Sequence, residues 1–316
     1  MSGISVCTLA HGRADHLSNL VRGLVRSERA VSELVVSVLQ EDPYDLPEAP
    51  FPVRQIMLGT TALCLSAARN RAASEAVGEL LVFLDVDCIP HPRLVGDYVA
   101  ACDETQGGVL MGEVAYLPKS ATLSGLNFAL FEQLGVKHSE RAGPPVTTVG
   151  ACRDYRCFWS LNFAMMASEF DRTGGFDESF LGYGGEDTDF GRVCAAAGLD
   201  LWWVKGAKAY HQYHPHHMPP VHHLDSVIAN AERFRAKWGE YTMQHWLRAF
   251  RLMGLAQPGP DGWRRLRETR EGDLDLTRQQ EDLPYASSAV VLRQLEREPS
   301  RQRMGNFHST SRTKHW

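Results

Sequence analysis

The stretch that decides the fold is Leu80–Asp87, which reads LLVFLDVD. The five apolar residues Leu80–Leu84 are typical of a strand buried on both faces of a parallel sheet. Asp85 and Asp87 follow at once, and alternate residues of an extended segment point in the same direction. Two neighbouring carboxylates repel each other, so a hard cation such as Mg²⁺ or Mn²⁺ would stabilise them. The stretch predicts a divalent-metal site at the end of a buried strand, and the alternative is a solvated loop with two acids.

Strands and helices alternate on both sides of this stretch. Apolar or β-prone runs occur at Ile4–Leu9, Leu34–Leu39, Val53–Met57, Gly108–Tyr116, Leu161–Met166 and Leu201–Val204. Helical spacing occurs at Arg13–Arg26, Leu63–Ala76, His91–Cys102, Glu186–Ala197 and Leu224–Met253. This alternation predicts an α/β protein with a doubly wound, mostly parallel sheet and a C-terminal helical extension. Ligands of such sheets bind beyond the carboxyl ends of the strands, which is where Asp85 is expected.

The composition of the chain bears on its binding partners and its cellular compartment. The 316 residues include 33 Lys and Arg against 38 Asp and Glu, a net charge of −5, so a nucleic-acid partner is not expected. No apolar run is long enough to span a bilayer, although peripheral membrane association stays open. The seven cysteines are scattered and form no CxxC pair, which favours a reducing cytoplasm over a disulfide framework.

A second chemical feature is the segment Gly182–Asp189, which reads GYGGEDTD. Its glycines let the backbone approach a ligand closely, and its acids open a helix whose dipole favours negative charge. The functional interpretation is a general base flanked by groups that hold a sugar hydroxyl, with Tyr183 as a flat face for a sugar ring. The alternative is a loop followed by an acidic helix start.

Two further features concern basic residues. Arg69 lies in AARNR, and it could hold a diphosphate, brace a carboxylate, or be solvated surface. Six histidines cluster near the end of the α/β pattern, namely His211, His214, His216, His217, His222 and His223. One of them could complete a metal shell with the two aspartates, and the rival interpretation is an independent zinc or nickel site. Their spacing matches neither HExxH nor a zinc finger.

Taken in order, these features resemble the inverting glycosyltransferases of the GT-A fold. The N-terminal half is similar to the family-two-type transferases in Ser5–Leu9, Leu34–Leu39, Ala68–Asn70 and Phe83–Asp87. The blocks GGFDE at Gly174–Glu178 and GGEDTDF at Gly184–Phe190 resemble the C-terminal motif of beta-1,4-galactosyltransferases and polypeptide N-acetylgalactosaminyltransferases. The resemblance covers about residues 3–215.

The resemblance implies a nucleotide site and a metal site. The nucleotide would be held by Thr8, Ala10, Glu41, Asp42, Arg69 and Asp85. Where the family has an Asp-Asp or Asp-Gly-Ser run, this chain has Gln40–Pro43, so the choice between the two acids there stays open. Asp87 would bind Mn²⁺ or Mg²⁺ together with a histidine, for which His211 matches best by position and His214 second.

The resemblance also implies a catalytic arrangement. Asp187 matches the base that takes a proton from the acceptor hydroxyl. Contacts to the donor or acceptor sugar would come from Trp159, Tyr183, Gly185, Glu186 and Asp189. The donor would be a nucleoside-diphosphate sugar, with UDP the expected nucleotide, and the acceptor a glycan, a lipid or a small molecule.

The implied organisation has three parts. Residues 1–116 form the nucleotide-sugar half and residues 117–223 form the acceptor and catalytic half of one domain. Residues 224–316 form the helical extension and polar tail. Two rival functions remain at this point. One is a nucleotidyltransferase of similar fold, for which Leu9–Arg13 only weakly resembles the required glycine-rich basic loop, and the other is a non-catalytic sugar- or metal-binding module.

Overall fold

The computed structural model describes residues 3–60, 63–279, 285 and 287–297. The chain divides into two compact units, of which the first runs to His214 and includes Tyr285, and the second begins at Pro215. The strands are β1 (Ile4–Ala10), β2 (Glu33–Val38), β3 (Val53–Met57), β4 (Leu80–Leu84), β5 (Cys88–Pro90), β6 (Val109–Met111), β7 (Val114–Tyr116), β8 (Val136–Lys137), β9 (Val149–Cys152), β10 (Asn162–Met166), β11 (Leu201–Val204), β12 (Ala209–His211), β13 (Ala256–Gly259) and β14 (Gly262–Arg265). The helices are α1 (Ala14–Val25), α2 (Leu65–Glu75), α3 (Leu94–Thr105), α4 (Phe128–Leu134), α5 (Ala167–Thr173), α6 (Glu186–Ala196), α7 (Leu224–Trp238), α8 (Gln244–Leu252), α9 (Glu271–Thr277) and α10 (Ser288–Arg297).

The first unit is built on an eight-stranded sheet with the order β3-β2-β1-β4-β10-β6-β11-β9. Its first four strands are parallel, whereas β10 runs antiparallel to both β4 and β6. The predicted α/β class and mostly parallel sheet are therefore confirmed.

Strand β4 shows why its sequence is apolar throughout. Leu80, Val82 and Leu84 pack into the core on one face of the sheet. Leu81 and Phe83 pack into the core on the other face, where the ring of Phe83 stacks on that of Phe163 with centroids 4.5 Å apart. Apolar layers cover both faces, so an alternating polar residue within β4 would be buried without a partner.

A second sheet has four strands in the order β5-β12-β7-β8. It returns the chain, at β12, to the neighbourhood of Asp85 and Asp87. Strand β12 pairs with β5 so that His211 lies opposite Cys88, the residue after Asp87. The Asp87 carbonyl also accepts a hydrogen bond from the Gln212 N–H at 2.7 Å. The second sheet thus places a histidine beside an aspartate that is distant in sequence.

The predicted single strand Gly108–Tyr116 is instead two strands, β6 and β7, which belong to different sheets. The chain crosses between them at Gly112, where an added Cβ would lie 2.3 Å from the Ala207 carbonyl oxygen and 2.4 Å from the Tyr98 hydroxyl. Only glycine fits at this position. Apolar residues continue on both sides of Gly112, so the sequence pattern does not show where the chain changes sheets.

The second unit corrects two expectations. The single helical pattern Leu224–Met253 is two helices, because α7 ends at Gly239, whose φ of 80° closes the helix in the left-handed region. The polar chain after Pro258 includes the antiparallel hairpin β13–β14 and the helices α9 and α10. Residues 298–316 of the predicted tail lie outside the described residues. No described helix is both long and apolar enough to cross a membrane.

Candidate active site and metal centre

Three predicted metal ligands meet just beyond the carboxyl end of β4. Asp87, His211 and His214 each offer a ligand atom, and these atoms all lie within 4.8 Å of one another. His211 Nε2 lies 3.4 Å from Asp87 Oδ1, and His214 Nε2 lies 3.2 Å from Asp87 Oδ2. The Asp87 side chain is only 6% exposed, and its Oδ1 is buried without a hydrogen-bond partner. A buried carboxylate oxygen that accepts no hydrogen bond, together with two imidazoles, forms a donor set that fits a divalent metal ion.

The sequence prediction missed Arg13, which also contacts this centre. Its guanidinium forms an ion pair with Asp87 Oδ2, and its Nη2 lies 3.3 Å from His214 Nδ1. Burial by itself would raise the pKa of Asp87, but its interactions with His211, then with His214 and Arg13, outweigh burial and hold that pKa well below its usual range. The carboxylate of Asp87 is therefore ionised, as a metal ligand must be.

The remaining histidines do not form a second metal cluster with acids or cysteines. Within the described parts of the chain, no other group of three His, Cys, Asp or Glu side chains meets the same distance limit. His217 Nδ1 lies 3.0 Å from the Leu274 carbonyl oxygen, and the rings of His222 and His223 contact each other at a tilt of 43°, with centroids 4.1 Å apart. The independent zinc or nickel site has no geometric support, and these residues pack within the second unit.

Arg69 braces a carboxylate, which is one of the three roles that the sequence left open for it. Its Nη2 donates to Asp85 Oδ1 at 3.1 Å, and the guanidinium lies 5.4 Å from the ring centroid of Phe176. Burial raises the pKa of Asp85, with Arg69 opposing and Asp87 and Asp187 adding to the rise. Contact of Arg69 with a diphosphate stays a prediction.

The predicted nucleotide residues lie at the carboxyl ends of neighbouring strands. Thr8 is buried in β1, and its hydroxyl, which has no hydrogen-bond partner, lines a narrow cavity together with Arg69 and Asp85. Ala10 ends β1 and is buried, whereas Glu41 and Asp42 are exposed beyond β2. This edge of the sheet is where nucleotides bind in doubly wound folds.

Asn70, on α2, holds the chain that leads into the segment Gly182–Asp189. Its side-chain amide donates to the Phe176 carbonyl at 2.8 Å, and its Oδ1 accepts from the Phe176 N–H at 2.8 Å. Further along, the Gly182 N–H donates to the Leu63 carbonyl at 2.9 Å. Gly184 and Gly185 then have φ values of 93° and 92°, a region that favours glycine, and they turn the chain into α6.

The first turn of α6 presents the predicted base. Asp187 Oδ2 accepts a hydrogen bond from the Ser160 N–H at 3.1 Å, while its buried Oδ1 has no partner. Next to it, burial raises the pKa of Glu186 to about 7, with the charge of Asp187 adding to the rise and Arg69 opposing it. One oxygen of Asp187 is fixed and the other accepts no hydrogen bond, so the second oxygen is available to accept a proton.

The predicted sugar contacts differ in their access. Tyr183 is half-buried, and burial raises its pKa. Gly185 caps α6. Trp159 is half-buried and packs edge-on against His138, with ring centroids 5.2 Å apart. Asp189 is only 1% exposed, and its contact with a sugar hydroxyl stays a prediction.

Two family models match the segments that carry this site. Residues 48–139 match glycosyl transferase family 2, and this range includes Arg69, Asp85 and Asp87. Residues 146–217 match a model described as the N-terminal domain of galactosyltransferase, and this range includes Asp187 and His211.

Named relatives share part of the sequence. Validoxylamine A glucosyltransferase of Streptomyces hygroscopicus subsp. jinggangensis (strain 5008) is 25% identical, over 74% of this chain and 60% of that protein. The protein of the same name from Streptomyces hygroscopicus subsp. limoneus is 35% identical, over 55% of this chain and 41% of that protein. Hyaluronan synthase of Pasteurella multocida is 25% identical, over 53% of this chain and 19% of that protein. The chain thus spans 60% or less of the length of these relatives.

Solved structures share the fold. The structure of S. aureus TarS 1–349 in complex with UDP-GlcNAc matches with a TM-score of 0.51 at 14% identity, over 74% of this chain and 66% of that one. The structure of GalNAc-T7 with UDP, GalNAc and Mn²⁺ matches with a TM-score of 0.51 at 15% identity, over 67% of this chain and 43% of that one. The chain therefore has the GT-A fold of these structures, and two of its segments are similar to glycosyltransferase families.

Proposed function

We propose that this chain is a metal-dependent, inverting glycosyltransferase that moves a sugar from a UDP-sugar to an acceptor hydroxyl. The observation that carries the proposal is the cluster of Asp87, His211 and His214, in which the buried Oδ1 of Asp87 accepts no hydrogen bond. The nucleotide class is supported by two solved structures of the same fold, which are complexes with UDP-GlcNAc and with UDP.

The ligands of this cluster suit a transition-metal ion. One carboxylate and two imidazoles fit Mn²⁺ better than Mg²⁺, which prefers oxygen ligands throughout. When bound, the ion would act as a Lewis acid that offsets the negative charge gained by the departing diphosphate. Asp87 supplies the charged ligand, and Tyr116 holds the ring of His211 by stacking at a centroid distance of 4.7 Å.

Asp187 then removes the proton from the attacking hydroxyl. The Ser160 N–H fixes one of its oxygens at 3.1 Å, which leaves the other to accept the proton. Attack from the face opposite the leaving diphosphate inverts the anomeric carbon. A positioned base of this kind typically contributes 10²–10⁴-fold to the rate, so we expect Asp187→Asn to bind UDP normally and to lose at least about a hundredfold in transfer. Near-normal transfer by this variant would contradict the assignment.

The proposed donor site is tested by calorimetry with UDP, with and without Mn²⁺. Wild type should bind UDP tightly only with the metal, and Asp87→Asn should lose that dependence. Asp171→Asn is a matched control, because it removes the charge of an exposed aspartate on α5. Equal UDP binding by wild type and Asp87→Asn would refute the metal site.

Both family matches are to glycosyltransferases, so neither the nucleotidyltransferase nor the non-catalytic module is favoured. The class of acceptor and the cytoplasmic location stay predictions.

A further inference from the structure

A separate cavity of about 200 Å³ lies within the first unit. It is bounded by the loop after β8, by α4 and by the ends of β6, β7 and β11. None of the residues predicted to bind the nucleotide or the metal lines it, so neither the donor nucleotide nor the metal explains it.

The decisive residue of this cavity is Arg141. It is 5% exposed, and its Nη1 is buried without a hydrogen-bond partner. Its Nη2 donates to the Gly112 carbonyl at 3.2 Å, and the guanidinium lies between Trp159 and Trp203, 5.4 Å and 5.3 Å from their ring centroids. Stacking uses the faces of the guanidinium, but its N–H edge is left to bind a partner. A buried cationic donor without a partner is costly, which indicates a ligand that supplies the acceptor.

The other charged residues of the lining leave the cavity positive. Lys208 is already bound to Glu132, whose two oxygens each lie 3.0 Å from its Nζ. Glu113 accepts a hydrogen bond from the Gly206 N–H at 2.6 Å. Lys137 has no salt bridge to any described residue, and its Nζ lies 3.2 Å from where a Cβ on Gly143 would be. The lining thus holds three cations against two carboxylates, and neither Arg141 nor Lys137 forms a salt bridge with a described acid.

The position of Arg141 also relates the cavity to the reaction. Trp159, which packs on its guanidinium, precedes Ser160, whose N–H holds the proposed base Asp187. In the proposed function this base accepts a proton from the acceptor and not from the donor, so Arg141 lies on the acceptor side of the site.

We propose that this cavity binds an oxyanion, a carboxylate or a phosphate group, carried by the acceptor. Assignment to the acceptor rests on the proposed function, whereas the anion site itself rests on Arg141 and Lys137 alone. The acceptor class is thus an acidic sugar or a phosphorylated compound. A guanidinium fork and one ammonium suit either group.

Calorimetry in metal-free, phosphate-free buffer tests the site, with glucuronate and inorganic phosphate as separate probes and glucose as the neutral match to glucuronate. We expect wild type to bind at least one anion and not glucose. Arg141→Gln should weaken that binding at least about tenfold, since a charge-assisted hydrogen bond is lost. Lys137→Ala should weaken it several-fold, and Lys237→Ala, which removes an exposed lysine of the second unit, should not.

The preferred probe identifies the group, and UDP distinguishes this site from the donor site. Saturating UDP and Mn²⁺ should leave anion affinity unchanged, and displacement of the anion would overturn the proposal. It is also overturned if wild type binds neither anion, or if Lys137→Ala binds as wild type does. The exposed Lys137 decides the matter should Arg141→Gln fail to fold. If UDP does not bind but the anion still requires Lys137, the proposed function fails and the anion site stands.

Discussion

Replacement of Glu186 tests whether burial and the neighbouring carboxylates, opposed only by Arg69, keep this side chain protonated. Glu186 is 8% exposed, and the nearby charges of Asp85, Asp187 and Arg69 all act on it. One guanidinium cannot neutralise three carboxylates, so burial and then repulsion raise the pKa of Glu186 from 4.5 to about 7. That difference corresponds to about 3 kcal/mol of linkage between protonation and folding.

The sign of the effect follows from proton binding. Between about pH 4.5 and 7, the folded chain keeps a proton on Glu186 that the unfolded chain has lost. The unfolding free energy of wild type should therefore fall as the pH rises through this window, and the Glu186 contribution should be constant above it. Glu186→Gln has no proton to lose, so relative to wild type it should gain about 3 kcal/mol from pH 4.5 to pH 8.

The measurement is urea unfolding at several pH values in metal-free buffer, followed by circular dichroism. Glu104→Gln is the matched control, because Glu104 is an exposed glutamate on α3. Its pH profile should parallel that of wild type. A parallel profile for Glu186→Gln as well would refute the idea that Glu186 is kept protonated by its surroundings.

Two further changes test contacts that support the site. Asn70→Ala removes the hydrogen-bond partners of the Phe176 N–H and carbonyl, so it should lower the unfolding free energy by about 2–4 kcal/mol. Urea unfolding measures this, with the exposed Arg71→Ala as the control, and a loss below about 0.5 kcal/mol would contradict the expectation. Arg13→Ala removes the cation that competes for Asp87, so nucleotide-free chain should bind Mn²⁺ several-fold more tightly, by calorimetry. Unchanged or weaker Mn²⁺ binding would show that Arg13 does not occupy the metal's place.

Much of this fold could be predicted because its signals are local. The apolar run Leu80–Leu84 is a strand buried on both faces, and the acids of Gly182–Asp189 begin a helix as expected. The failures have local causes too. At Gly112, apolar residues continue across a change of sheet, and at Gly239 one glycine ends a helix inside a continuous helical pattern. Periodicity records which face of an element is buried, but it does not record where one element stops and the next begins.

By itself, the sequence determined the class of fold, the strand end that carries Asp85 and Asp87, and the acidic helix start at Asp187, since each depends on residues within one or two turns. The tertiary structure alone decided which side chains meet. The resemblance had singled out His211 and His214, but only the structure shows that both reach Asp87 together, because β12 pairs beside β5. Arg13 reaches Asp87 across 74 residues of sequence. Such pairings depend on strand order and sheet crossing, which bring distant residues together without leaving a local pattern.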